Sequence, residues 1–183
     1  MTKCEFIENE LISSSIEDAF QVRRENARVY AHGVAEQDNR RKDLKSELAA
    51  LLRRIGTQYV NTVIPNKHNQ NIKKIADDLR TQFGNQNLLH NNRFRIGIAQ
   101  KALNLYLKYL WCLGRIATPP HCPFDNGIIA KLPLTDDQKQ RLKWTTLDSL
   151  ADYQQLVNAA MQKIEQTGHR SLSDWELEEW TPQ

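Results

Sequence analysis

The segment from Ile96 to Leu113 sets the terms for the rest of this chain. Its apolar residues fall on nearly every side of a helical wheel, and only Gln100, Lys101, Asn104 and Lys108 break the run. A helix that is apolar around most of its circumference has to be surrounded by other elements. Its polar positions exclude an ordinary membrane span, so those elements are protein. The expected architecture is all-α: a compact bundle of seven or eight helices around a central apolar helix at about residues 96–113.

Strand signals are nearly absent elsewhere, whereas helix start and stop signals recur. Ser15 with Asp18 has the spacing of a capping box and predicts a helix to about Tyr30, stopped by Gly33. From Asp38 to about Val60, Leu44, Leu48, Leu51, Leu52 and Ile55 recur every three or four residues, the stripe of an amphipathic helix. The segment VIPNKHNQN, with Pro65 among amides, predicts a loop before a shorter helix from Ile72 to Phe83, which Gly84 stops. A second amide-rich loop leads into the central helix. Beyond it, Pro119, Pro120 and Pro123 forbid continuation. Asp125 is placed to cap a short helix through Leu132. Thr135 with Gln138, and Ser173 with Glu176, repeat the capping-box spacing, and a long amphipathic helix runs between them from Leu147 to about Gln166, ending near Gly168. No internal repeat is present, and 183 residues suit a single all-helical domain, 1–183.

Apolar residues at 40% and charged residues at 26% argue against disorder and fibrous folds. The N-terminal MTKCEFIENELISSS has acids among its apolar residues and lacks the run of a secretory signal, so a cytoplasmic protein is expected, with no membrane role. Cys4, Cys112 and Cys122 are odd in number and scattered, which fits reduced thiols. His90, Cys112, His121 and Cys122 contain no Cys-x-x-Cys or His-x-x-x-His pair, so no metal is expected, and nothing calls for a cofactor.

Charge is divided by position. Residues 1–47 hold eight basic and ten acidic side chains, residues 48–124 eleven and two, and residues 125–183 six and ten. From Leu79 to Phe124 there is no acid, whereas Arg80, Arg93, Arg95, Lys101, Lys108 and Arg115 are all present. Such a field attracts anions. Two readings follow. The acidic ends can fold over the basic middle and neutralise it. Alternatively, the middle is a phosphate-binding surface for nucleic acid, served by Arg80, Arg93, Arg95, Gly97, Asn104, Lys108, Arg115 and His121. Lys101, Asn104, Lys108 and Arg115 form one polar stripe on the central helix, either its solvent edge or the wall of a groove. In the terminal SLSDWELEEWTPQ, Trp175 and Trp180 either dock on the domain or anchor a partner, including a second copy.

Gly97-Ile98-Ala99-Gln100-Lys101 entering an apolar helix, followed by Pro123-Phe124-Asp125 after a proline-rich turn, resembles the helix-hairpin-helix DNA glycosylase superfamily. The likeness is to its bifunctional 8-oxoguanine-type branch, over about residues 70–132. In that family a glycine-containing hairpin precedes a helix with a catalytic lysine, and a Pro-x-Asp segment supplies an aspartate at a helix start. Here Ala99 stands at the second hairpin glycine, and Arg95-Ile96 in place of Leu-Pro. The resemblance implies that Lys101 attacks the sugar and forms a Schiff base, that Asp125 stabilises the positive charge developing on the sugar, and that DNA is the partner. A base must be flipped out to be reached, and His90, Phe94, Tyr106, Trp111 and Phe124 are candidate wedges. The alternative class is a non-catalytic helical module that meets an acidic partner, its own ends or a second copy.

Overall fold

The computed structural model describes residues 1–22 and 27–180. They form eight α-helices with no sheet: α1 Lys3–Phe20, α2 Asn39–Gly56, α3 Pro65–Phe83, α4 Ile96–Cys112, α5 Asn126–Ala130, α6 Asp136–Arg141, α7 Leu150–Thr167 and α8 Leu172–Glu179. Short 3₁₀ turns follow α2 and link α3 to α4. Helix α4 is the axis. It packs most extensively against α1, then α3, α2 and α7, and Leu103 and Leu107 on it are fully enclosed. The buried apolar side chains of all these helices join one continuous core. Among the described residues, no helix is long and apolar enough to cross a membrane.

Several starts and stops lie where the residue chemistry places them. Helix α2 buries Leu44, Leu48, Leu51, Leu52 and Ile55, each contributing about 2 kcal/mol on burial, and Asp38 caps it through the Arg40 amide. Thr135 and Gln138 form the reciprocal capping box of α6. Gly168, at φ +75°, closes α7 in the left-handed conformation that glycine adopts without a Cβ penalty.

Three elements differ from expectation. Helix α1 begins at Lys3, because Thr2 and Glu5 make the capping box and the Ser15 hydroxyl bonds back to Leu11 O inside the helix. It ends at Phe20, short of Tyr30, and residues 23–26 of the expected helix lie outside the described residues. Helix α3 starts at Pro65 rather than Ile72. Proline suits the first helical position, where its missing N–H would be unpaired anyway, and the amide-rich turn supplies His68 and Asn71 to the interior. Helix α8 is capped by Ser171 with the Asp174 amide, not by Ser173. That frame buries Trp175 completely, points the Ser173 hydroxyl at Pro119 O (3.1 Å) and turns Glu176 inward. Trp175 is therefore a core residue, while Trp180 remains 55% exposed.

Candidate functional site

Gln100 and Lys101 are neighbours on α4, and between them they build the site. Gln100 is fully buried. Its Nε2 donates to Phe124 O at 2.8 Å and its Oε1 accepts from Phe124 N at 3.2 Å, so one side chain pairs with both backbone groups of that residue. One turn on, Asn104 Nδ2 donates to Cys122 O at 2.9 Å. The proline-rich segment is thus pinned along α4 by two amides. A chain held this way has little choice over where its next residue goes, and the next residue is Asp125. Its Oδ1 accepts from the Ile128 amide at 3.0 Å and starts α5.

Lys101 is half-buried, with Nζ 4.4 Å from the centre of the Trp144 ring. Burial pulls its pKa below the usual lysine value, because a charged ammonium is poorly solvated there. The carboxylates of Asp125 and then Asp18 oppose that shift. Asp125 is thus the carboxylate with the strongest influence on this amine. Among the described residues Lys101 forms no ion pair. The lysine and aspartate expected to work together are in electrostatic reach of each other, on a helix and at the helix start beside it.

The other expected residues are divided between surface and interior. Arg80 is exposed, and with Lys73, Phe94 and Arg93 it lines a shallow cavity of about 370 Å³. Arg93 is bonded to Asp148 at 2.6 Å. Arg115 is half-buried at the far end of α4.

Four assignments to an anion-binding surface are corrected by burial. Arg95 is only 7% exposed, and its guanidinium donates to Ala27 O and Arg28 O. Gly97 lies inside the first turn of α4, not in a hairpin, and its amide donates to Leu147 O at 2.9 Å. Asn104 is enclosed and also donates to Gln100 Oε1 and Tyr153 Oη. His121 is enclosed, with Nδ1 2.9 Å from Tyr153 Oη and its ring packed edge-on against His68.

Lys108 also turns inward, reaching the Glu176 carboxylate oxygens at 2.9 and 2.8 Å, with Trp180 beyond. At Asn104 and Lys108, therefore, the stripe on α4 is neither a solvent edge nor a groove wall. It is where the proline-rich segment and α8 attach. Of the aromatic wedge candidates, Phe94, Tyr106 and Phe124 are core, while His90 and Trp111 are half-buried.

Cys122 is buried and its thiol is pushed well up by burial, which removes it as a nucleophile. No cluster of three His, Cys, Asp or Glu side chains among the described residues could hold a metal ion. Two contributors were invisible in the sequence. Trp144 reaches Lys101 from a turn far along the chain, and Asp18 reaches it from α1. Helical spacing relates only residues of one helix, and neither signal was available there.

Comparison with protein-family models, with curated proteins and with solved structures finds no match to this chain.

Proposed function

We propose that the protein binds DNA and removes a damaged or modified base, with Lys101 as the amine nucleophile and Asp125 as its anionic partner. The observation that carries this reading is the half-buried Lys101 amine on the face of Trp144, in no ion pair among the described residues, with Asp125 as its foremost carboxylate. A lysine attacks carbon only when deprotonated, and burial enlarges the deprotonated fraction at neutral pH.

In the step proposed, the Lys101 nitrogen bonds to the sugar anomeric carbon as the glycosidic bond breaks, and the electron pair leaves with the base, which takes up a proton. Nitrogen then loses a proton, its lone pair forms the C=N bond as the bond from the anomeric carbon to the ring oxygen breaks, and the ring oxygen takes up a proton, which leaves an iminium. The Asp125 carboxylate stabilises the positive charge that develops on the sugar. Docking of the phosphate backbone falls to exposed cations, Arg80 and Arg93 foremost, because Arg95, Gly97, Asn104 and His121 are enclosed. Contacts of this kind weaken as salt rises.

The test is borohydride trapping on duplex DNA carrying an abasic site. Reduction of the iminium gives a covalent protein–DNA adduct in the wild type and none in Lys101→Gln. Absence of an adduct from folded wild-type protein refutes the lysine mechanism.

A second reading rests on the ion pairs. Lys108–Glu176, Arg93–Asp148 and Arg53–Glu8 join the basic middle to the acidic ends, so part of the field is neutralised internally. On that reading the protein is a non-catalytic interaction module, with exposed Trp180 as a candidate anchor. It predicts an association that barely responds to salt.

A further inference from the structure

The turn over residues 143–147 approaches α4 more closely than any side chain there would allow. A Cβ placed on Gly97 would lie 1.7 Å from Trp144 O and 2.8 Å from Trp144 C. The contact is made fast by the Gly97 amide, which donates to Leu147 O at 2.9 Å, and the turn is closed by bonds from the Thr146 and Leu147 amides to Lys143 O. Glycine is needed here for close approach rather than for an unusual backbone angle. One helical turn beyond Gly97, on the same face, is Lys101. The Trp144 side chain is 4% exposed, and the lysine amine lies over its ring.

We propose that Trp144 is a positioning residue for the Lys101 amine. Its backbone is seated against α4 at Gly97, and its indole fixes where the amine points and covers it from water, so that the amine adds to carbonyl carbon near neutral pH. This inference rests on the reading of Lys101 as an amine nucleophile, but not on DNA being its substrate.

Two opposing effects act through the indole. Its face attracts the ammonium, which favours the charged form. Its bulk also excludes water, which favours the neutral form. On this proposal exclusion of water outweighs the attraction, in line with the direction in which burial moves Lys101. The charged groups that act on the amine from neighbouring elements are Asp125 at the start of α5 and Asp18 on α1, and both favour the ammonium. Removing the indole therefore makes the amine less reactive at neutral pH, with both carboxylates left in place.

The experiment uses glycolaldehyde with cyanoborohydride and no DNA. A neutral amine adds to the aldehyde carbon, water leaves, and hydride from cyanoborohydride reduces the iminium to a stable secondary amine. Peptide mass spectrometry reads the label at each lysine across a pH series. Lys101 in the wild type is expected to label several-fold faster at pH 7 than exposed Lys42 and Lys67, with its profile displaced to lower pH. Trp144→Leu is expected to bring Lys101 to the rate and profile of those lysines.

Trp144→Phe keeps an apolar ring, preserves the fold if the leucine variant does not, and is expected to fall between the two. A Lys101 profile unchanged in both variants overturns the proposal, as does faster labelling at neutral pH when the indole is lost. The result is distinguishable from the DNA test. A displaced aldehyde profile that depends on Trp144, without any adduct on abasic DNA, upholds the positioning role and rejects base excision.

Discussion

Lys108→Met is expected to cost about 3–5 kcal/mol of folding stability, read as a lowered urea midpoint at pH 7, because it leaves the Glu176 carboxylate buried without its counter-ion. The side chains of Lys108 and Glu176 are 11% and 4% exposed, so water screens the pair little. Burial already raises the Glu176 pKa, and Lys108 works against that. Without the lysine, the carboxyl takes up a proton more readily, and the penalty shrinks as the pH is lowered. The double change Lys108→Met with Glu176→Leu is expected to recover most of the loss, since two apolar groups in contact leave no charge stranded. A single-variant cost below about 1 kcal/mol, the range of surface pairs, would show that α8 is not tied to α4 through this bond.

Acid should unfold the protein early, beginning below about pH 6.5. His68 and His121 sit edge-on, with ring centres 4.7 Å apart, inside the bundle. Tyr59 Oη lies 2.7 Å from His68 Nδ1, and Tyr153 Oη bonds His121, with Asn71 and Asn104 donating to the two tyrosines. Every polar neighbour in this set is neutral, and burial pushes the Tyr59 hydroxyl up to about 12. Burial depresses His121 to about 4 and His68 well below its ordinary value, and for His68 the His121 ring adds to the effect.

A histidine held neutral in the fold binds fewer protons there than in the unfolded chain. Stability is therefore full above pH 6.5 and falls as the pH drops toward the folded value. His121 alone removes about 3 kcal/mol by pH 4, and His68 adds to the loss with the same sign. Urea unfolding at pH 7, 5.5 and 4.5 measures it. In His121→Gln the slope should ease by about 1 kcal/mol per pH unit averaged over that window, even though the variant starts less stable. A stability flat from pH 7 to 4.5 would mean that the rings are not enclosed as described.

The same polar interior explains how far the sequence could be read. Helices α2 and α4 were legible from their apolar spacing, α6 from its capping box, and α7 from its apolar spacing and glycine stop. The first two turns of α3 were not, since His68, Asn69 and Asn71 beside Pro65 have the composition of a loop. Their helical role depends on partners in α4 and α7 and in the 3₁₀ turn after α2. Helix α8 offered two overlapping Ser-x-x-acid frames, and only the burial of Trp175 and the pull of Lys108 on Glu176 select between them.

The candidate site shows the same division. Lys101 and Asp125 could be singled out by position, one early on the central helix and the other at a helix start. Gln100, which holds the residue before Asp125 against α4, looks like any polar interruption of an apolar run until Phe124 is seen against it. Asn104 and His121 were assigned to the surface because polar residues near basic ones suggest anion binding. Their partners, Cys122 O and Tyr153 Oη, place them inside.

Titration of the Lys101 amine measures directly whether it is sheltered against Trp144 under the influence of Asp125. With lysine side chains labelled for heteronuclear NMR, and Lys101→Arg used to assign the resonance, the Lys101 amine is predicted to titrate at a lower pH than the exposed lysines, with Asp125→Asn lowering it further because a carboxylate that favours the ammonium is gone. A Lys101 resonance that titrates together with the exposed lysines would contradict the account and leave this residue an ordinary surface charge.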